Sequence, residues 1–217
     1  MGKDNYSRSE DLKNKLNSFI SSFTEEDKNY FDSLSKEQLL GLKKALAYIN
    51  NYLTLKTTLA MGKWIAKYFK LSRKEEDDLL KKIDEIKPNT NGYDIELKNH
   101  LKVIVEIKCI IPINNGNSFG AAQRNAILDD ALKLIKGKKR SIPNTEQYIK
   151  IIGLLDVGEK TDNAIEELVN PMGKIRSKNQ ISQDRRNIIK KLVVVDNSIK
   201  PNDLTTEYIY LKRIQID

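Results

Sequence analysis

Cysteine and histidine are almost absent from this sequence. Its 217 residues include one of each, Cys109 and His100. A single cysteine cannot close a disulfide within the chain, and it cannot build a cysteine-based zinc site. His100 has no second histidine to act with, and its surroundings are typical of a turn. The scarcity of cysteine favours a reducing compartment, so we expect a cytoplasmic protein.

Long apolar runs are also missing. No stretch approaches the roughly 20 residues that a membrane-spanning helix needs. The opening segment MGKDNYSRSEDLKNKL lacks the apolar region of a secretory signal, so we expect no membrane partner. Hydrophobic residues still make up 39% of the chain. That fraction is enough for a packed core and argues against global disorder.

Acidic residues are outnumbered by basic ones. The chain carries 38 Lys and Arg against 30 Asp and Glu, a formal net charge of +8. A basic balance suggests an anionic partner, and nucleic acid is the usual one. Lysine-rich and asparagine-rich chains also arise from AT-rich genomes, so charge alone leaves the partner open.

The first part of the chain has helical periodicity. Ser9, Ser35 and Ser72 precede periodic segments and are predicted N-caps, and Pro88 ends the helical region. We therefore predict a helical N-terminal region over residues 1–72 and a core over 73–217. The apolar positions that recur at helical spacing are Leu12, Leu16, Phe19, Ile20, Phe23, Leu39, Leu42, Leu46, Ile49, Leu59, Trp64, Ile65 and Phe69.

The pattern changes after Pro88. YDIEL and LKVIVEIKCII are predicted strands, AAQRNAILDDALKLIKG a helix closed by Gly137, and YIKIIGLLDV a third strand. Residues 158–191 are polar and mixed, with a basic helix in ISQDRRNIIKK, and LVVVD and TTEYIYLKRIQI read as strands. This order predicts an α/β (α+β) fold with a mixed sheet flanked by helices.

The strand LKVIVEIKC has two unlike faces. Because side chains alternate, Val103, Val105, Ile107 and Cys109 share an apolar face, whereas Glu106 and Lys108 project from the other. Cys109 is thus expected in the core. An acidic pair with a lysine suits Mg²⁺-assisted phosphodiester hydrolysis: carboxylates hold the metal, and lysine orients or deprotonates a water.

The residues GYD, followed after a gap by EIK on a hydrophobic strand, resemble the PD-(D/E)xK nuclease superfamily, the restriction-endonuclease-like fold. The matching positions are Asp94, Glu106 and Lys108, and the resemblance covers roughly residues 73–157. Asn91-Gly92-Tyr93 stands in place of the proline of the motif.

This resemblance implies that Asp94 and Glu106 bind Mg²⁺ and that Lys108 positions or activates water. Glu96, Gln123 and Glu76 are possible accessory residues, and Glu75 and Glu85 lie on the same helix as Glu76. It implies a type II restriction endonuclease that cuts double-stranded DNA as a homodimer, with the N-terminal helices a candidate interface.

The resemblance imposes a condition on the turn between the first two strands. A two-residue loop at Asn99-His100 would place Asp94 opposite Val105, on the face away from Glu106. An odd loop or a bulge would bring both acids to one face. We predict an odd loop or a bulge.

Several alternatives remain at this stage. The Glu106 and Lys108 face could be solvated and cross-paired. The protein could be a repair, phage or junction nuclease of the same superfamily, or a non-catalytic DNA-binding protein. Ser118 lacks a nearby base for nucleophilic catalysis. Predicted DNA contacts lie in KGKKR and QDRRNIIKK, and they are Lys138, Lys139, Arg140, Arg185 and Arg186. Residues 61–83 could also form a helix-turn-helix.

Overall fold

The computed structural model describes residues 7–86, 91–113, 118–139, 141–171 and 182–216. The chain forms two compact units that divide between Ile49 and Asn50. The unit with the sheet therefore begins before the predicted boundary at residue 73. The reason is packing, since Met61 and Ile65 are fully buried in the core beneath the sheet.

The N-terminal unit consists of helix α1 (Arg8–Thr24), helix α2 (Tyr30–Ser33) and the start of helix α3 (Lys36–Tyr68). Ser7, rather than the predicted Ser9, caps α1, because its side chain accepts a hydrogen bond from the Glu10 N–H. No residue of α1 is buried. Large exposed hydrophobic side chains in this unit are Leu12, Phe19, Phe23, Phe31, Leu39, Leu40, Leu46, Tyr48 and Ile49.

The second unit begins with the rest of α3 and with helix α4 (Arg73–Glu85). Ser72 caps α4 through a complete capping box with Glu75, which confirms the predicted cap. The two helices approach closely at Gly62, where a Cβ atom would lie 2.7 Å from Ile83 Cδ1. The predicted helical pair is thus present, while a role in DNA binding stays a prediction. Pro88 lies outside the described residues.

A five-stranded sheet forms the centre of the second unit. Its strands are β1 (Ile95–Leu97), β2 (Val103–Lys108), β3 (Ile149–Leu155), β4 (Leu192–Val194) and β5 (Ile209–Ile214), in the order β1-β2-β3-β5-β4. β1 is antiparallel to β2, and the other pairs are parallel. The predicted mixed α/β class is confirmed.

Three further helices belong to this unit: α5 (Ala121–Lys136), α6 (Glu159–Val169) and α7 (Gln183–Ile189), with a 3₁₀ turn at Pro201–Asp203. Gly137 ends α5, as predicted. The sequence interpretation missed α6. Its buried side chains recur at helical spacing, and the polar residues between them obscured the pattern. These buried residues are Thr161, Ala164, Ile165 and Leu168.

Both faces of the sheet are covered. The face that carries Val103, Val105 and Ile107 packs against α3 and α4, and we call it the α4 face. The face that carries Ile104 packs against α5, α6 and α7, and we call it the α5 face. Strand β2 is therefore buried on both sides, which explains its nearly continuous hydrophobic run. Among the described residues, no helix is long and apolar enough to span a membrane.

Candidate active site

The turn between β1 and β2 brings the two predicted metal ligands to one face. Leu97 pairs with Val103, which leaves residues 98–102, five in number, as the loop. The same register pairs Ile95 with Val105. Asp94, one residue before β1, therefore lies across from Glu106 on the α5 face. The predicted odd loop is confirmed, although it has five residues rather than three.

Glu106 is buried beneath α5. Only 7% of its surface is exposed, so this charged residue is buried like its apolar neighbours on the strand. Burial is the main cause that raises its pKa to about 7; the contact with Lys138 opposes this rise, and the nearby charges of Asp94 and Asp130 add to it. The alternative of a solvated and cross-paired Glu and Lys face is therefore wrong for the solvation of Glu106, whereas Lys108 is partly exposed and both side chains are ion-paired.

Asp94 is held to the strand that carries Glu106. Its Oδ2 atom accepts a hydrogen bond of 2.6 Å from the Ile107 N–H. Burial raises the pKa of Asp94, while this hydrogen bond and the charge of Lys138 oppose the rise. The carboxylate is thus oriented by backbone that belongs to the neighbouring strand.

Lys108 meets an acidic residue that the sequence interpretation missed. Its Nζ lies 2.6 Å from Oδ2 of Asp130, and Lys133 Nζ lies 2.8 Å from Oδ1 of the same carboxylate. Asp130 is 4% exposed. The sequence contains a signal for it, because Asp130 falls three residues after Ile127, within the apolar stripe of α5. A charged residue in such a stripe needs a buried partner.

Lys138, predicted as a DNA contact, lies beside these acidic residues, and contact with DNA stays a prediction for it. Its Nζ lies 2.5 Å from Glu106 Oε1, donates a hydrogen bond of 2.5 Å to the Gly92 carbonyl, and lies 4.5 Å from the centre of the Tyr93 ring. We call the six residues Asp94, Glu106, Lys108, Asp130, Lys133 and Lys138 the charge cluster.

The backbone before Lys138 requires glycine. Gly137 has a φ angle of 81°, and a Cβ atom there would lie 2.2 Å from the Pro143 carbonyl oxygen. The Lys138 N–H donates to the Ile142 carbonyl at 2.9 Å, and the Ser141 N–H donates to the Lys138 carbonyl at 2.9 Å. This turn fixes the position from which the lysine reaches Glu106.

The three accessory residues do not join the charge cluster. Glu96 accepts hydrogen bonds from the Tyr93 N–H and the Ser141 hydroxyl and pairs with Lys98, so it stabilises the turn before β1. Gln123 bridges the Gly120 N–H and the Ile111 carbonyl at the start of α5. Glu76 lies on α4, which packs on the opposite face of the sheet. An accessory role for these three residues stays a prediction.

The other predicted DNA contacts have varied surroundings. Lys139 and Arg186 are exposed. Arg185 pairs with Asp129 on α5 at 2.7 Å. Arg140 lies outside the described residues. Contact with DNA stays a prediction for these positions.

A cleft of about 810 Å³ lies between α4 and the β1 segment. Asp94 reaches its wall, but the other polar side chains there are mostly acidic: Glu75, Asp78, Glu85 and Glu96, with Lys82 and Lys98. A phosphate backbone would be repelled from this surface.

The remaining candidates have structural surroundings. His100 is exposed in the turn between β1 and β2. The Cys109 thiol lies 3.2 Å from Thr57 Oγ1 and packs with the core of the α4 face, as expected. Ser118 forms an isolated bridge with Ile113.

The residues present are compatible with a hard divalent cation. Glu106 Oε1 is buried, and the ammonium of Lys138 lies beside it without the geometry of a hydrogen bond. Within the described ranges, no group of three or more His, Cys, Asp or Glu side chains converges at metal-binding distances. Mg²⁺ commonly uses only one or two carboxylates and keeps several waters, so Asp94 and Glu106 fit this donor set.

Comparison with known proteins adds no family: no family model, curated protein or solved structure matches this chain.

Proposed function

We propose that this protein is a Mg²⁺-dependent endonuclease that hydrolyses DNA phosphodiester bonds on a restriction-endonuclease-like core. The observation that carries the proposal is the burial of Glu106 opposite Asp94, with Lys108 two residues further on the same strand face. Burying carboxylates beside one another is unfavourable, so such an arrangement is typical of functional sites.

The residues have distinct roles in this proposal. Asp94 and Glu106 would hold Mg²⁺, which acts as a Lewis acid and lowers the pKa of a bound water. Lys108 would orient that water or stabilise charge on the phosphate. Asp130 positions Lys108, because it anchors the ammonium at 2.6 Å. α5 limits the access of bulk water to Glu106.

A type II restriction enzyme is the specific form that we favour. Cutting both strands of a short site needs two copies of the catalytic centre, which a homodimer would supply. The exposed hydrophobic side chains of the N-terminal unit, such as Phe23 and Ile49, are candidate dimer contacts. Light scattering of the purified protein should then give twice the chain mass of 24.9 kDa.

The proposal is tested with plasmid DNA and Mg²⁺. Discrete fragments are expected from a site-specific enzyme, and a smear would instead indicate a non-specific, repair or junction nuclease. Glu106→Gln and Asp94→Asn should abolish cleavage and leave DNA binding intact. Glu96→Gln is the matched control, since Glu96 faces the same side of the hairpin but pairs with Lys98 outside the cluster.

A non-catalytic DNA-binding protein is the second candidate, and one observation favours it. The carboxylates of Glu106 and Asp130 each have a lysine ammonium within 2.8 Å, so the cluster could serve only to neutralise buried charge. On that alternative the protein binds DNA and never cleaves it with Mg²⁺ or Mn²⁺. Cleavage that Glu106→Gln leaves unchanged would reject the proposed site.

A further inference from the structure

We propose that Lys138 is a built-in counter-ion that a divalent cation must displace from Glu106 and that then becomes available to the phosphate. This inference rests on the proposed function, because it assigns a metal to Asp94 and Glu106. It concerns a residue that no part of the sequence motif includes.

The first argument is the division of the lysines within the charge cluster. Lys108 and Lys133 are both held by Asp130, one on each carboxylate oxygen. Lys138 is the cation in contact with Glu106 among the residues that the structure describes. The cluster has three carboxylates and three lysines, so its formal charge is balanced before any metal binds.

The second argument is electrostatic. A divalent cation bound by Glu106 would lie within a few ångströms of the Lys138 ammonium, and like charges at that distance in a buried site repel strongly. Lys138 must therefore release Oε1 before the metal can bind there. The contact is a 2.5 Å ion pair, which a second cation of higher charge can replace.

The third argument is that Lys138 has other anchors. The Gly92 carbonyl and the face of the Tyr93 ring both contact its ammonium, and neither is a carboxylate. With Oε1 released, the ammonium keeps these contacts and stays beside the cluster. A cation held there can bind a phosphate oxygen of the substrate.

The experiment measures Mn²⁺ affinity by calorimetry on the full chain without DNA. Lys138→Met removes the competing charge and keeps most of the length of the side chain, so Mn²⁺ should bind about tenfold more tightly. Lys138→Arg keeps the charge and should bind Mn²⁺ no more tightly than wild type. Cleavage by Lys138→Met at saturating Mg²⁺ should nevertheless fall, because the phosphate loses its cation.

A matched control separates this effect from general charge loss. Lys139→Met removes an adjacent exposed charge outside the charge cluster. It should change Mn²⁺ affinity by less than about threefold, as expected for a weak through-solvent interaction. Thermal unfolding of each variant checks that it is folded. If Lys138→Met does not fold, the Mn²⁺ affinity of Lys138→Arg is compared with that of wild type instead.

The outcomes distinguish the two proposals. If wild type binds Mn²⁺ in a manner that Glu106→Gln abolishes, but Lys138→Met binds no more tightly, the counter-ion role is overturned and the nuclease proposal stands. If Lys138→Arg binds more tightly than wild type, the counter-ion role is also overturned. If wild type shows no Glu106-dependent binding, the metal site itself is rejected, and the counter-ion role with it.

Discussion

The two faces of strand β2 are both buried, yet they differ in what they bury. On the α4 face, Val103, Val105 and Ile107 pack against the apolar side chains of α3 and α4. On the α5 face, Glu106 and Lys108 meet Asp130 and Lys138. The first face contributes to folding through the hydrophobic effect, whereas the second places charge where desolvation opposes folding. The difference suggests that one face maintains the fold and that the other serves the proposed chemistry.

The largest expected effect is on the charged face. Lys108→Ala should lower the cleavage rate by about 10²- to 10⁴-fold, the contribution typical of a positioned proton-transfer group. Single-turnover cleavage of plasmid DNA measures it. The unfolding transition should remain cooperative, since Lys108 is partly exposed. A variant that cleaves at the wild-type rate would contradict the role of Lys108.

The apolar face should show the opposite behaviour. Ile107→Ala should lower the free energy of unfolding by about 2–5 kcal/mol, because it leaves a cavity in a packed core. Denaturant titration measures this loss. Mn²⁺ affinity of the folded variant should match wild type, since the side chain points away from the charge cluster. A large loss of metal affinity in a folded variant would show that the two faces are not independent.

The pH dependence of stability should depend on Glu106. Its pKa is raised from 4.5 to about 7 in the folded protein. Between these two pH values the carboxyl group is therefore protonated in the folded state and ionised in the unfolded state. The contribution of Glu106 to stability is therefore present below pH 4.5 and is lost as pH rises through 7. The difference corresponds to up to about 3 kcal/mol.

Glu106→Gln tests this by comparison with wild type. The variant cannot titrate at this position, so it should become more stable relative to wild type as pH rises from 4.5 to 8. Denaturant titrations at several pH values measure the difference. A constant difference across this range would mean that Glu106 is ionised in the folded protein throughout.

The smallest expected effects compare two adjacent residues of α5. Asp130 is buried with two lysines, whereas Asp129 is about half exposed and pairs with Arg185. Asp130→Asn should lower the free energy of unfolding by about 2 kcal/mol, since it weakens buried charged hydrogen bonds. Asp129→Asn should cost less than about 1 kcal/mol. Equal losses at both positions would show that Asp130 is not the anchor of the cluster.

Much of the fold could be predicted from periodicity. The alternation in LKVIVEIKC separates Val105 from Glu106, and the acidic capping sequence after Ser72 marks the start of α4. The sequence interpretation missed α6 because its apolar positions are few, so that polar residues dominate the segment. The chain divides between Ile49 and Asn50 rather than at residue 73, and a helical pattern does not show which part of α3 packs on the sheet.

The candidate site was predicted less completely. Asp94, Glu106 and Lys108 lie close in sequence, and strand alternation relates them directly. Asp130 lies on helix α5 and Lys138 lies in the turn after it. No local sequence pattern joins either residue to Glu106. Two other polar residues near the site form structural hydrogen bonds. Gln123 accepts one at the start of α5, and Glu96 accepts one in the turn before β1.

The sequence by itself determined that Glu106 and Lys108 share one side of a strand, because side chains alternate along any extended backbone. Only the tertiary structure decided that this side is dry, since burial depends on where α5 packs. It also decided that Asp94 joins them, because the parity of the five-residue loop sets the pairing of β1 with β2. Lys138 likewise enters the site through a turn that closes against a distant part of the chain.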